Sequence, residues 1–234
     1  SFLAGASLLM TMPACTDLDE TVYDNIPSNT FGSTQTEVNA LVGTVYKTVK
    51  NYVSDGNFLA LDVMSGSDAV TPTRKGGDWY DGGQYREIYM HTWTSQTSVI
   101  KGAWSNASSA IGTCNANLSV ISASEILSDA TKTQLEAEIR GVRAFWIYKM
   151  MDDWGNIPLV VDYTDKELPS CKSRQEVFDW LITEVNAIKD QCPDREGGYG
   201  KFTKGAAYTL LAKLCLNAEA WGVNYSGNAY QTVA

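Results

Sequence analysis

The sequence predicts a mostly α-helical protein, a scaffold of antiparallel helix pairs of the tetratricopeptide type that also holds one long irregular region rich in aromatic residues. Three observations support this fold class. Apolar residues recur at helical spacing in successive stretches, and capping signals stand at the starts of several of them. The segment 55–97 interrupts these stretches with glycine, proline and aromatic residues and has little period.

The first helix is predicted from a capping-box pattern, in which Thr34 and Glu37 flank the first turn. The apolar residues that follow fall on one helical face and are Val38, Leu41, Val42, Val45, Tyr46 and Val49. A second helix is predicted between Ile100 and Ile121. Small residues alternate there with apolar ones, which permits the close approach of a neighbouring helix.

Three more helices are predicted further along the chain. Asp129 is the expected cap of the third, and Gly155 and Pro158 must end it, because glycine suits a left-handed stop and proline cannot continue a helix. The fourth begins at the capping box Ser173–Glu176, and the fifth runs over about 203–220. No signature of a tetratricopeptide repeat recurs among them, so the period alone predicts a mostly helical extracytoplasmic domain.

The start of the chain indicates export. Residues 1–14 carry no charge and include the apolar run Leu8–Met10, which is too short to span a bilayer. Cys15 follows a small residue, as a lipoprotein signal peptidase requires. We therefore expect 1–14 to be part of a lipoprotein signal peptide, with Cys15 as the lipidated N-terminus of a gene fragment. The alternative is a buried N-terminal segment with an incidental cysteine.

Composition excludes several classes of function. The chain has 18 basic and 27 acidic residues, a net charge of −9, and no clustered basic surface, which disfavours nucleic acid as a partner. Its 234 residues, 44% of them hydrophobic, are enough to form a substantial core. The remaining cysteines are Cys114, Cys171, Cys192 and Cys215. Either Cys171 and Cys192 form a disulfide or all four are free, mostly buried thiols.

The residues give no positive sign of catalysis. His91 is the only histidine, so neither a zinc site nor a histidine-activated nucleophile is expected. A glycosidase needs two opposed carboxylates, whose separation cannot be read from sequence. Asp152 and Asp153 are adjacent and are interpreted as part of a solvated helix end. The prediction is a protein without enzymatic activity, metal or cofactor.

Three ordered motifs resemble the SusD/RagB family of glycan-binding outer-membrane lipoproteins. The stretch Glu138–Val160 looks like that family's helix ending in aromatic-Gly-x-Ile/Val-Pro-Leu. Ser173–Ala187 matches its Ser-Arg-x-Glu-Val-aromatic-Asp-x-Ile helix, and Lys201–Leu216 its Thr-Lys-Gly-Ala-Ala helix. The resemblance implies that residues 15–234 form the N-terminal half of a SusD-like fold, truncated at its C-terminus. The motif residues themselves are expected to fix helix packing rather than to touch ligand.

The resemblance also implies a function. The protein would be a lipid-anchored, cell-surface component of the outer membrane that captures oligosaccharides and delivers them to a TonB-dependent transporter of the SusC type. In the family a loop ahead of the second long helix supplies a Trp and an amide side chain to the glycan surface, and Trp93 and Gln96 are the nearest match here. The further candidates in the same region are Trp79, Tyr80, Arg74 and Asp68.

The chemistry of this region fits a sugar, because flat aromatic rings cover the C–H faces of a sugar ring while Asp, Arg and Gln side chains bond its hydroxyls. Two alternatives stay open. In one, the aromatic side chains Trp79, Tyr85, Tyr89 and Trp93 only pack the region onto the helices. In the other, the protein is a helical-repeat interaction module that binds only protein, with the aromatic region as its partner surface. An extracytoplasmic glycosidase is the third hypothesis.

Overall fold

Long helices with short connections form the framework of the protein, in a computed structural model that describes residues 32, 34–54, 56–66, 69, 81–162 and 168–225. In chain order the α-helices are α1 (Gln35–Ser54), α2 (Gly56–Leu59), α3 (Gln84–Tyr89), α4 (Ser98–Ala123), α5 (Asp129–Trp154), α6 (Arg174–Ile188) and α7 (Lys204–Asn217). The long helices predicted from periodicity are confirmed as α1, α4, α5, α6 and α7.

Side-chain caps fix the ends of these helices. At α6 the predicted capping box is confirmed: Ser173 Oγ accepts from the Glu176 amide at 3.2 Å, and the Glu176 carboxylate accepts from the Ser173 amide at 2.8 Å. At α5 the cap is Ser128 rather than the predicted Asp129, because the Ser128 hydroxyl is the group that reaches a free amide of the first turn. Gly155, with φ of 76°, ends α5 as predicted.

Neighbouring helices in sequence are also neighbours in space. Helix α4 packs on α5, α5 on α6 and α6 on α7, while α1 lies against α4 and α5. The core includes the fully buried rings of Trp146, Phe58 and Phe178. The indole N–H of Trp146 donates to Thr48 Oγ1 at 2.9 Å, so this buried donor is satisfied where α5 meets α1.

Small residues permit close approach at two places. In α4, Ala103, Ala107 and Ala110 are buried at the helix interface, as the sequence predicted. In α5, a Cβ atom on Gly141 would stand 2.2 Å from the ring of Phe202. Gly141 therefore makes room for an aromatic side chain that precedes α7.

The aromatic-rich region between α1 and α4 contains short helical segments that the sequence did not predict. They are α2, a π-helical turn at Ala60–Met64, a 3₁₀ turn at Asp81–Gly83, and α3. Each is too short to display a full helical period, and their apolar residues Phe58, Ala60 and Ile88 are buried. These segments dock the region onto the long helices.

A two-stranded antiparallel ribbon connects α5 to α6. Strand β1 (Ile157–Pro158) pairs with β2 (Cys171–Lys172), with Ile157 opposite Lys172. Cys171 is exposed on β2, whereas Cys114, Cys192 and Cys215 are buried, and no disulfide joins any two of the four. Of the two predicted arrangements, the structure therefore has the one without a Cys171–Cys192 bridge. In the part of the chain that the structure describes, no helix has the length and apolarity to cross a membrane.

Candidate functional site

A groove opens where the α3–α4 connection meets the C-terminal end of α5. Its volume is about 660 Å³, within the range of small-molecule sites. The residues that line it are Leu61, Asp62, Ser65, Trp93, Thr94, Ser95, Ile100, Asp152, Asp153 and Trp154. We call this surface the Trp93 groove. It combines two tryptophans, three carboxylates and three hydroxyls.

Trp93 stands in a short connection that hydrogen bonds hold in place. Thr97 closes a turn by donating its amide to the Thr94 carbonyl at 3.0 Å and its hydroxyl to the Glu87 carboxylate at 2.8 Å. His91, at a φ of 54°, lies with its Nε2 2.8 Å from the Ser65 carbonyl and its ring 5.1 Å from that of Trp93. The Trp93 side chain is 41% exposed, so one large aromatic surface remains open to a ligand.

Gln96 belongs to the same connection but does not line the groove. Its side chain is exposed, and its Oε1 accepts from Lys101 Nζ at 3.5 Å. Of the predicted site residues, the structure thus brings Trp93 to a groove and leaves Gln96 beside it. The other predicted residues lie outside the described part of the chain. They are Trp79, Tyr80, Arg74 and Asp68, together with the lipidation candidate Cys15 and the segment 1–14.

A buried lysine organises the carboxylates of the groove. Lys149 of α5 is 5% exposed, and its Nζ lies 2.8 Å from Asp62, 3.4 Å from Asp153 and 3.5 Å from Asp152. Asp62 belongs to the π-helical turn and also accepts from the Tyr52 hydroxyl at 2.6 Å. The cluster therefore ties the irregular region to the end of α5.

These contacts change the proton affinities of the cluster. Burial raises the pKa of Asp153 to about 7, because desolvation of the carboxylate outweighs the attraction of the nearby Lys149 ammonium. Burial opposes the charge of Lys149, but Asp153 and Asp62 outweigh that effect and raise the pKa of the lysine. The pKa of Tyr52 is also raised, mainly by burial and to a smaller extent by the hydrogen bond to Asp62.

Most of this groove was not predicted from the sequence. The interpretation of Asp152 and Asp153 as a solvated helix end is wrong for Asp153, because that side chain is 13% exposed and paired with Lys149. The spacing of Lys149 to Asp152 and Asp153, three and four residues along a helix, was a signal for this pairing. Trp154, interpreted as a packing residue, packs edge-on to Trp104 at 5.2 Å and also lines the groove. For Asp62 the sequence held no comparable signal.

A second cleft of about 680 Å³ lies between α1, α5 and α7. Its wall includes the aromatic residues Tyr46, Tyr52, Phe145, Tyr148 and Phe202. Asp62 and Asp152 line this cleft as well as the Trp93 groove, so the two cavities adjoin at the Lys149 cluster. The described residues offer no group of three or more His, Cys, Asp or Glu side chains arranged to hold a metal ion.

The chain is similar to known proteins in sequence. It is 25% identical over 214 residues to the SusD-like protein P2 of Formosa agariphila, a match that covers 89% of this chain and 41% of that protein. It is 32% identical over 95 residues to the starch-binding protein SusD of Bacteroides thetaiotaomicron, which covers 40% of this chain and 17% of that one. The chain thus spans about two fifths or less of the length of these relatives. No protein-family model matches it.

The fold is also shared with solved structures. Surface glycan-binding protein A of Bacteroides thetaiotaomicron, in complex with laminarihexaose, superposes with a TM-score of 0.63 at 16% identity, over 80% of this chain and 39% of that one. The helical architecture described above is therefore the SusD-like fold, in part of its length. Two of these relatives, the starch-binding protein and the surface glycan-binding protein, are named as binding proteins. The sequence matches and the shared fold together show that the chain is similar to SusD-like proteins over part of their length.

Proposed function

We propose that the protein binds oligosaccharides at the Trp93 groove. One observation carries the proposal: the exposed ring of Trp93 shares a groove with Trp154 and with the carboxylates of Asp62, Asp152 and Asp153. A sugar ring has an apolar C–H face and a rim of hydroxyls. An indole ring covers the face, and a carboxylate accepts two or more hydrogen bonds from the rim. The groove offers both kinds of surface side by side.

The relatives support this ligand class. One is named a starch-binding protein, and the superposed structure of another holds laminarihexaose. Both names refer to glucose polymers, although the specificity of this chain is set by its own groove. The binding requires no bond to be made or broken, and the proposal is for capture rather than hydrolysis.

The proposal extends to the place and the partner of the protein. We infer that Cys15 carries a lipid that holds the protein at the cell surface of the outer membrane, where it passes oligosaccharides to a TonB-dependent transporter of the SusC type. Replacing Cys15 with alanine should release the protein from the membrane fraction. An affinity tag on this chain should co-purify such a transporter from detergent-solubilised outer membranes.

Retention by polysaccharide in native affinity electrophoresis tests the binding site. Truncation of an aromatic anchor costs about 2 kcal/mol, roughly thirtyfold in affinity, so Trp93→Ala should lose the retention by laminarin or starch that the unchanged chain shows. Trp93→Phe should keep part of it, because a flat ring remains. Tyr199→Ala removes a fully exposed aromatic side chain outside the groove and is the matched control.

A second candidate function has one observation in its favour. The aromatic wall of the cleft between α1, α5 and α7 suits an apolar polypeptide segment as well as a sugar. The protein would then be a helical-repeat interaction module without glycan binding. Co-purification with a transporter, combined with no retention by any polysaccharide in a broad panel, would favour this candidate over the first.

A further inference from the structure

The charges on the Trp93 groove are all of one sign. Asp62, Asp152 and Asp153 line it, and among the described residues that do so there is neither a lysine nor an arginine. A glycan in the groove would therefore meet carboxylates as its only charged neighbours among the described residues of this wall. Sugar hydroxyls donate to carboxylates readily, whereas a carboxylate or sulfate group on the sugar has no proton to donate.

Lys149 does not supply a free positive charge. Its ammonium is buried and already engaged by the three carboxylates at 2.8–3.5 Å. With one ammonium among three carboxylates, the cluster keeps a net negative charge even when Asp153 holds a proton. Lys149 instead lets the carboxylates stand close together, and so concentrates acceptors on one side of the groove.

Two charged side chains close to the groove in sequence, Lys101 and Glu87, do not reverse its negative charge. Lys101 is exposed and contacts Gln96, outside the groove lining, and Glu87 binds Thr97 in the connection that carries Trp93. The chain as a whole carries −9, which disfavours the approach of any polyanion.

We propose that the Trp93 groove selects uncharged glycans and rejects those bearing carboxylate or sulfate groups. This inference rests on the proposed function, since it concerns the specificity of the same site. Asp62 and Asp152 are the residues that set it, because they are the partly exposed carboxylates of the cluster. The hydroxyls of Ser65, Thr94 and Ser95 complete a wall that can both donate to and accept from a neutral sugar.

The test compares polysaccharides that share a backbone and differ only in charge. Laminarin is paired with carboxymethyl-laminarin, and soluble starch with carboxymethyl starch, in affinity electrophoresis and calorimetry at low and moderate salt. The neutral member of at least one pair should bind at least tenfold more tightly, and the ratio should shrink as salt rises, because screening weakens repulsion between exposed charges.

Variants of the groove test whether Asp62 and Asp152 cause this discrimination. Asp62→Asn/Asp152→Asn should bring the affinities for the two members of a pair to within about threefold. The control Asp190→Asn/Glu196→Gln removes the same charge from exposed positions after α6 and should leave the ratio unchanged. Melting curves of each variant, followed by circular dichroism, show that it is folded.

The outcomes distinguish the proposal that the groove binds glycans from the proposal that it selects uncharged ones. Binding of the charged member as tightly as the neutral one would overturn the specificity and leave glycan binding standing. An equal change of the ratio in both double variants would also overturn it, since bulk charge would then be the cause. Failure to bind either member of any pair would overturn glycan binding itself, and the specificity with it.

Discussion

Arg143 of α5 donates from its Nη2 to Glu184 Oε1 of α6 at 2.8 Å, in a setting where both side chains are largely buried. Its Nη1 donates at 2.9 Å to Asn115 Oδ1 on α4 and to the carbonyl of Val161. Arg140 reaches the same carboxylate from one turn earlier at 2.6 Å. Arg143 thus links its own helix α5 to α4 and α6, which explains its place in the helix-packing motif.

Removal of Arg143 should therefore destabilise the fold strongly. In Arg143→Met the buried Asn115 amide oxygen and the Val161 carbonyl lose their donor, and we expect the free energy of unfolding to fall by about 3–5 kcal/mol. Arg143→Lys keeps the charge but not the planar fork, so its loss should be intermediate. The exposed Arg195→Met is the control and should change stability by less than about 0.5 kcal/mol. Urea unfolding followed by circular dichroism measures all three. A loss below about 1 kcal/mol in Arg143→Met would contradict this account.

Two helical glycines should respond to alanine in opposite directions. Gly141→Ala places a methyl group against the ring of Phe202 and should lower the free energy of unfolding by about 1–3 kcal/mol. Gly112→Ala, in α4, meets nothing within 4 Å and should raise it by up to about 1 kcal/mol, because alanine has the better helix propensity. Urea denaturation midpoints of the two variants, each compared with that of the unchanged protein, measure both effects. Equal stabilisation in both variants would show that the Phe202 ring does not pack on Gly141.

Asp153 should make stability depend on pH in an unusual direction. The pKa of its carboxyl rises from an ordinary value of 3.8 to about 7 in the folded protein, so between these values the native state binds more protons than the unfolded state. The contribution of this group to the free energy of unfolding therefore falls as pH rises from about 4 to 7. In Asp153→Asn that contribution is absent.

Thermal unfolding from pH 4.5 to 8 measures the effect. The difference in melting temperature, variant minus unchanged protein, should grow more positive with rising pH and level off above about 7. Asp179→Asn, on the exposed face of α6, serves as the control and should show no such growth. A difference that stays constant over the range would mean that Asp153 titrates at its ordinary pKa.

The fold was readable from the sequence because its elements are locally encoded. In α1 and in α4 the apolar residues recur at helical spacing within the segment itself. The capping box of Ser173 and Glu176 likewise lies within one turn of α6. The cap of α5 was misplaced by one residue, because Ser128 and Asp129 are both good caps and only the geometry decides between them. The short helices near Phe58 and Ile88 went unpredicted because tertiary burial, and not a local period, stabilises them.

The candidate site was readable only in part. Trp93 was predicted because it is the nearest match to the tryptophan that the SusD/RagB family carries ahead of its second long helix, in a region where aromatic and polar residues cluster. Asp62 and Lys149 lie 87 positions apart and meet only after α2 and the π-helical turn dock onto α5. Asp153 looked solvated because its helix end is polar, and its burial depends on that same docking. Asp62 joins the cluster only through tertiary structure and leaves no pattern along the chain.

Oxidative footprinting with hydroxyl radicals, read by mass spectrometry, shows whether a bound glycan covers Trp93. A bound oligosaccharide, with laminarihexaose or maltohexaose as the probe, should lower the oxidation of Trp93 severalfold and leave the oxidation of the fully exposed Tyr199 unchanged. The comparison is made on one sample with and without the sugar, at a concentration that saturates binding in calorimetry. Unchanged oxidation of Trp93 in a protein that has bound the oligosaccharide would contradict the account, because the ligand would then lie elsewhere.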